Sequence, residues 1–445
     1  MRILHVTHQY PPNRRGGVEV YTQALARRQA AQGHTVGVVH GWADAVNAPP
    51  LVSQEDEAGV TVWAAQPQPP RHPLDLFLRS FDNRPMERAF ADLLAAFRPD
   101  VVHVQHLKGL SARLIGVARR AGIPTLWTLH DWWAFCGNAQ LVRHTGALCG
   151  GPTLWLNCAD CAAHHGGVTR SPAQEALALA GLPAVAGLFA YRARLLDAAL
   201  AQADILIAPT AFVRDRFAQQ GMDTRRFVVV EHGIEYPAWV ADMPDVAAGF
   251  KPAATENRRL RVGYTGALAW QKGVDVLVEA FNRLPPDAAE LRVYGDPRPF
   301  PDYARRLTAA ARHPHIQFRG PYAPTDRWRI LRDLDVVVVP SVWPETSSLV
   351  AQEAFAARRP VIASRVGALR DRVVDGVNGH LVPPGDVDAL ADVLARLAAD
   401  GLLLARLQAG VTPPRTLEDH ARTVERLYLS VSGSPSPRVG EGAGG

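Results

Sequence analysis

Two glutamates, Glu345 and Glu353, are separated by seven residues and directly follow the apolar run 336–339 and the pair Pro340-Ser341. At that spacing the first carboxylate falls in a loop and the second about two turns further on, in a helix, so both can face the end of the preceding strand. Ser347 or Ser348 is placed to cap that helix. Its first N–H groups and its positive dipole favour an anion there. Taken alone, the spacing fits two solvated carboxylates better than a site. A second segment changes the balance: Gly263-Tyr264-Thr265-Gly266-Ala267-Leu268-Ala269-Trp270-Gln271-Lys272-Gly273. Here a strand enters a glycine-bearing turn, and a lysine stands where the next helix begins. An ammonium in that place can neutralise a departing diphosphate.

The first half of the chain adds a third set. Gly16-Gly17-Val18-Glu19 follows the strand 2–7, and paired glycines let backbone come close to a ligand. His103 and His106 end the run 100–105, and His130-Asp131 ends the run 124–129. A lone histidine at such a place is by default a packed one, which is the expectation for His103.

These groups need strands behind them, and the pattern supplies them. Short apolar runs at 2–7, 36–40, 100–105, 124–130 and 204–208 alternate with helical patterns at 17–32 and 111–121. Residues 236–258 are rich in Pro, Ala and Asp and read as a linker. The alternation restarts with strands at 260–265, 291–294, 336–340, 360–364 and 379–383 and helices at 273–282 and 388–399, the last capped by Asp386 or Asp388. A βαβα order implies a parallel sheet with helices on both faces. The expected fold is α/β, with two doubly wound, Rossmann-like domains facing across a cleft: 1–235, then the linker 236–258, then 259–412. In such sheets ligands bind outside the carboxyl ends of the strands. A helix over 413–430 is expected to cross back to the first domain, and 431–445 (Ser, Pro, Gly) to be a disordered tail.

Composition narrows the class. The chain has 445 residues, 47% hydrophobic and 20% charged, as in ordinary globular proteins. No run approaches the roughly 18 apolar residues of a membrane-spanning helix. The start reads as a strand rather than a signal peptide. A cytoplasmic protein is expected, free or on the inner face of the membrane. Net charge is +5, with the arginine excess spread along the chain. That suits an anionic membrane surface or a phosphate-bearing substrate, and equally a generally basic proteome. No dense basic block with interleaved aromatics points to nucleic acid. The runs 74–81 and 187–196 mix apolar, aromatic and Arg residues; as amphipathic helices they fit either a membrane surface or packing on the core.

Together, the glutamate spacing after Pro-Ser, the strand–Gly–Lys-Gly–helix segment, the Gly-Gly-Val-Glu loop and the His-Asp pair resemble glycosyltransferase family four, the retaining enzymes of GT-B fold. The resemblance covers residues 1–410 or so. It implies a nucleotide-diphosphate sugar as donor, a glycan or lipid-linked glycan as acceptor in cell-surface polysaccharide synthesis, and no catalytic metal. It gives His130, Lys272 and Glu345 the catalytic positions. Gly17, Gly266, Lys272, Ser347, Ser348, Leu349 and Glu353 form the donor site, with Glu353 on the ribose. Asp131 orients the imidazole or meets the acceptor. Three departures stand out. Ala267 replaces a common Arg, so Lys272 acts alone or another base substitutes. Asp371 stands where Glu is usual. Ser347-Ser348 replaces a hydrophobic-glycine pair, which leaves the sugar open. Two other readings remain: a nucleotide-sugar epimerase of this fold, decided by products formed from donor alone, and a non-catalytic binder, which would bind without turnover.

All four cysteines, Cys136, Cys149, Cys158 and Cys161, fall between 136 and 161, the last two as Cys-x-x-Cys. Four thiolates suit a structural zinc ion or, less often, an iron–sulfur cluster. Reduced or disulfide-paired thiols are the alternatives. His164 and His165 are spare ligands. A subgroup of the family resembled here carries a comparable insert after the His-Asp strand end.

Overall fold

The structure, a computed structural model, describes residues 1–12, 16–42, 44–56, 58–164, 172–241 and 259–433. The chain divides into two compact units, Met1–Gly233 together with residues from Leu417 onward, and Ile234–Thr416. Most of the linker expected at 236–258 and nearly all of the tail expected at 431–445 lie outside the described residues. Val431 and Ser432 still belong to the last helix.

The first unit holds an eight-stranded sheet, ordered β3-β4-β2-β1-β5-β6-β7-β8. The strands are β1 (Arg2–Thr7), β2 (Thr35–His40), β3 (Val46–Glu55), β4 (Thr61–Gln68), β5 (Val101–Val104), β6 (Thr125–Thr128), β7 (Ile205–Ala208) and β8 (Phe227–Val229). All neighbours pair in parallel except β3 with β4. The central strands are covered on both faces, so they read as unbroken apolar runs rather than as alternation. Sequence reasoning misses the β3–β4 pair because Pro49-Pro50 looks like a breaker. The register shifts between Ala48 and Leu51, so the two prolines sit in a bulge on the edge strand, where proline is tolerated.

The helix Leu417–Ser432 packs in this first unit. Its buried residues Leu417, His420, Ala421, Val424 and Tyr428 fall three or four apart, on one stripe. Val424 and Tyr428 join Ile3, Val101, Leu126 and Ile207 in one core cluster. The two amphipathic runs turn their rings toward one another: Phe77 meets Phe189 at 5.1 Å and Phe81 meets Tyr191 at 6.0 Å between centroids. Among the described residues no helix is long and apolar enough to cross a membrane.

The second unit holds six parallel strands ordered β11-β10-β9-β12-β13-β14. They are β9 (Leu260–Thr265), β10 (Ala289–Tyr294), β11 (Ile316–Gly320), β12 (Val336–Val339), β13 (Val361–Ser364) and β14 (Gly379–Val382). The four valines of β12 are all buried, as expected of a central strand of β-branched residues. Asp386 is the cap of helix Val387–Ala399 and accepts the Ala389 N–H at 2.9 Å. The adjacent strands β9 and β12 release their chains side by side, into the two loops that carry Lys272 and Glu345.

Candidate functional site

In the second unit Lys272 and Glu345 meet directly, Nζ to Oε1 at 2.7 Å. The same Oε1 accepts from Ser341 Oγ at 2.6 Å and from Trp343 Nε1 at 3.1 Å. Lys272 Nζ also lies 5.0 Å from the centre of the Trp343 ring, a cation–π distance. Burial pushes the Glu345 carboxyl up, but Lys272 and the three hydrogen bonds more than offset this, so it ends below the usual glutamate range. Oε2 has no partner among the described residues. Of the three ammonium donors of Lys272, one is committed to Glu345. The pair is thus charged, fixed and still open to further hydrogen bonds.

Two glycines make the arrangement possible. Gly273 adopts φ +65°, and a Cβ built there would stand 2.0 Å from the Pro340 carbonyl oxygen. The Val342 N–H donates to the Gln271 carbonyl at 3.0 Å, so the lysine loop and the glutamate loop are joined by backbone. Gly367, at φ +59°, lies against the Glu345 backbone, and the Ala368 N–H donates to the Glu345 carbonyl at 2.7 Å. Gly266 also takes a positive φ, and its N–H donates to the Tyr294 carbonyl.

Glu353 is buried on the helix Leu349–Ala356 and pairs with Arg327 at 2.8 Å. Burial raises its carboxyl and Arg327 only partly opposes this, so it ends above the usual range. The two glutamates therefore differ in character: Glu345 is a firm anion, whereas Glu353 holds a proton more readily. Arg327, Ser341 and Trp343 were not picked out from sequence as site residues. The Pro-Ser strand end was the only local signal for Ser341, and Arg327 supplies a second cation in a unit where Ala267 supplies none.

The serines correct one expectation. Ser348 occupies the N-cap position, but its backbone is left-handed (φ 58°, ψ 83°) and neither serine caps the helix by side chain. Ser347 Oγ is buried without a hydrogen-bond partner. A left-handed residue with a Cβ costs about 1 kcal/mol, which explains why glycine suits this place. Ser348→Gly is expected to stabilise the second unit by about that amount, read from chemical denaturation; an unchanged or lower stability would show that the turn is not strained.

In the first unit Gly17 begins the helix Gly17–Ala31, after an N-cap at Gly16. Behind this turn Glu19 is buried and pairs with His8 at 3.3 Å. His106 stacks near His8 (4.2 Å between centroids) and pairs with Asp131 at 3.2 Å. Asp131 also accepts the Trp133 N–H at 2.8 Å, so its carboxylate orients the loop and His106 rather than His130. Burial raises the Asp131 carboxyl, and His106 with the hydrogen bonds brings it below the ordinary range. His130 is buried beside the Tyr21 and His232 rings, and its Nε2 meets Gln105 Oε1 at 2.8 Å. Burial pushes its pKa down to about 3, so its ring is neutral at physiological pH.

Cys136, Cys149, Cys158 and Cys161 line one cavity of about 260 Å³, closed in part by Phe77 and Phe189. None is in a disulfide. Burial and then the other three cysteines push the Cys158 thiol up to about 12. Fully buried Arg192 lies beside them, its guanidinium 4.8 Å from the Trp133 ring centre. Burial lowers its pKa to about 10, while Cys136, Asp131 and Cys158 act to raise it. Among the described residues the group with three ligand atoms mutually within 4.8 Å is His144, Asp160 and His164, not the cysteines. Arg143 already occupies Asp160 there, at 2.9 Å. His165 lies outside the described residues.

Comparison with known proteins agrees with this architecture. The family model described as Glycosyltransferase Family 4 matches residues 15–236, and that described as Glycosyl transferases group 1 matches residues 259–400. A D-inositol 3-phosphate glycosyltransferase of Xylanimonas cellulosilytica is 37% identical over 221 residues, 47% of this chain and about half (52%) of that protein's length. D-inositol 3-phosphate glycosyltransferase 1 of Catenulispora acidiphila is 28% identical over 93% of this chain and 89% of its own. Among solved structures, a sucrose-phosphate synthase from Thermosynechococcus elongatus superposes with a TM-score of 0.66 at 20% identity, covering 97% of this chain and 99% of that one. An Anabaena protein in complex with UDP and glucose gives 0.59 at 18% identity, covering 96% and 99%. The chain is a glycosyltransferase that belongs to family four and has the GT-B fold, two Rossmann-like α/β units in one polypeptide.

Proposed function

We propose that this chain moves a sugar, with retention of anomeric configuration, from a nucleotide-diphosphate sugar to a hydroxyl of a glycan or lipid-linked glycan in cell-surface polysaccharide synthesis. The observation that carries the reading is the Lys272–Glu345 pair, whose remaining hydrogen-bonding capacity has two different uses. The two uncommitted donors of Lys272, with the N–H groups at the start of helix Leu349–Ala356, stabilise a diphosphate as it leaves. Glu345 Oε2 accepts from the sugar hydroxyls; with Oε1 tied down by three donors, the carboxylate orients the sugar rather than attacks it. Glu353, with its raised pKa, meets the ribose hydroxyls. The family resemblance gives Gly17 a role toward the phosphates and His130 one toward the donor sugar. In the transfer step the bond from the anomeric carbon to the phosphate oxygen breaks, the acceptor oxygen bonds to that carbon, and the acceptor proton passes to the departing phosphate.

Support for the donor class comes from the solved neighbour in complex with UDP and glucose. A stability screen with UDP, GDP and ADP tests it. One of them at 100 times its Kd should add about 2.7 kcal/mol, and no response to any would remove the reading. The relatives named above make inositol phosphates the first alternative acceptor to set beside lipid-linked glycans.

For the four cysteines the proposed role is a structural zinc site. The shared cavity, the reduced thiols and the buried Arg192 support it, since four thiolates around a dication carry a net negative charge. Their sulfurs would have to draw together, because no three stand within 4.8 Å of one another. Metal analysis should give one zinc per chain in the wild type and much less in Cys158→Ser. Absence of both zinc and iron from protein purified without chelator would exclude the site.

A further inference from the structure

The helices Arg84–Phe97 and Leu114–Arg120 of the first unit border a groove of about 760 Å³. The first helix buries one side through Met86, Phe90, Leu93, Leu94 and Phe97. Along the groove it sets Arg84, Arg88, Ala91 and Ala95, with Arg98 just beyond its last turn. These positions step by four and three, the spacing at which one helix offers a seam to another. From Arg84 to Arg98 the seam runs roughly 21 Å, at 1.5 Å per residue.

Arg120 joins these three arginines from the second helix, and all four are exposed. Among the described residues none of the four is in an ion pair. The one acid in the lining, Glu87, accepts from Ser111 Oγ at 2.9 Å and lies 3.8 Å from Arg113. The groove is therefore cationic with little counter-charge of its own. Arg84 and Arg88, four apart on one helix, repel each other until an anion comes between them.

The floor is apolar. Leu94 and Val117 are buried, and Ala91 and Ala95 are short. A bilayer takes up helices that thrust large apolar side chains outward, and here the apolar lining is short or recessed. A single phosphate is too small to meet cations spread over roughly 21 Å. A rod of that length, apolar along one edge and acidic beside it, meets both the floor and the arginines.

We propose that this groove is the docking site for an acidic amphipathic helix of a partner protein, its apolar side chains against Ala91, Leu94, Ala95 and Val117 and its carboxylates on Arg84, Arg88, Arg98 and Arg120. The groove belongs to the first unit alone, so the proposal holds whatever sugar or acceptor the enzyme uses.

The test uses full-length protein and two fluorescent peptides of about 15 residues, the length of the groove. Both have the same composition of leucine, alanine and glutamate. One repeats leucine at steps of three and four; the other is scrambled. By fluorescence anisotropy the first should bind, and the scrambled one roughly tenfold more weakly. Arg84→Glu with Arg88→Glu, shown to be folded, should weaken the first peptide by roughly tenfold or more. Arg305→Glu with Arg312→Glu makes the same change of net charge in the second unit, at exposed side chains, and should leave binding unchanged. Binding of neither peptide, equal binding of both, or equal loss in the two double variants overturns the proposal. So does sedimentation of wild type with phosphatidylglycerol vesicles that is lost in Arg84→Glu with Arg88→Glu, which would give the groove to a membrane.

Discussion

Lys272→Ala is expected to lower kcat by about 10²–10³-fold, the usual loss on removing one aimed donor from developing charge. The variant should also change how stability depends on pH. In the wild type Glu345 titrates below the ordinary glutamate range because Lys272 and its hydrogen bonds outweigh burial. Its stabilisation is therefore fully present above the unfolded pKa, about 4.3, and is lost as pH falls through the lower folded value. Without Lys272 burial dominates and the folded pKa rises above the unfolded one. The variant then loses stability as pH rises through and beyond the ordinary glutamate range. The gap in Tm between wild type and variant should widen from pH 4 to pH 7. A constant gap would mean that the pair is not coupled. Glu345→Gln separates the two effects: it removes the buried charge, so the pH dependence should flatten, while turnover still falls.

The largest effect on stability is expected at Gly273. An alanine Cβ there would lie 2.0 Å from the Pro340 carbonyl oxygen, on a backbone at φ +65°. Neither atom can move without breaking the Val342–Gln271 hydrogen bond that ties the two loops together. Gly273→Ala should cost about 3 kcal/mol or more and separate Lys272 from Glu345, so nucleotide binding should weaken as well. Gly122, also at positive φ but with nothing within 4 Å of the added Cβ, is the control. Alanine there should cost only about 1 kcal/mol and leave binding intact. Equal losses at the two glycines would contradict the close-approach argument.

The central strands were legible because buried parallel strands leave long β-branched runs, as at 336–339, and glycines mark where those runs turn; β3, β4, β8 and β11, at or next to the sheet edges, were missed. Lys272 and Glu345 were legible as types in place, each just past a strand end. Their contact was not, since it depends on β9 and β12 being neighbours and on a glycine seated against a carbonyl. The serine cap failed for a local reason: the backbone at Ser348 is left-handed, and propensity for a cap says nothing about φ. The buried contact between Gln29 and the Tyr428 hydroxyl was invisible. Gln29 and Tyr428 are 399 residues apart and each reads as one polar residue in an amphipathic pattern. His103 was correctly read as packed: it is buried, with its two ring nitrogens against the Tyr428 and Thr128 hydroxyls.

The central claim is that Lys272, held by Glu345, receives the donor diphosphate while Glu345 holds the donor sugar. Calorimetric titration of wild type, Lys272→Ala and Lys272→Arg with whichever of UDP, GDP or ADP stabilises the protein tests it most directly. Wild type should bind, Lys272→Arg should retain part of the affinity, and Lys272→Ala should lose at least tenfold, about 1.4 kcal/mol. Equal affinity in wild type and a folded Lys272→Ala would contradict it.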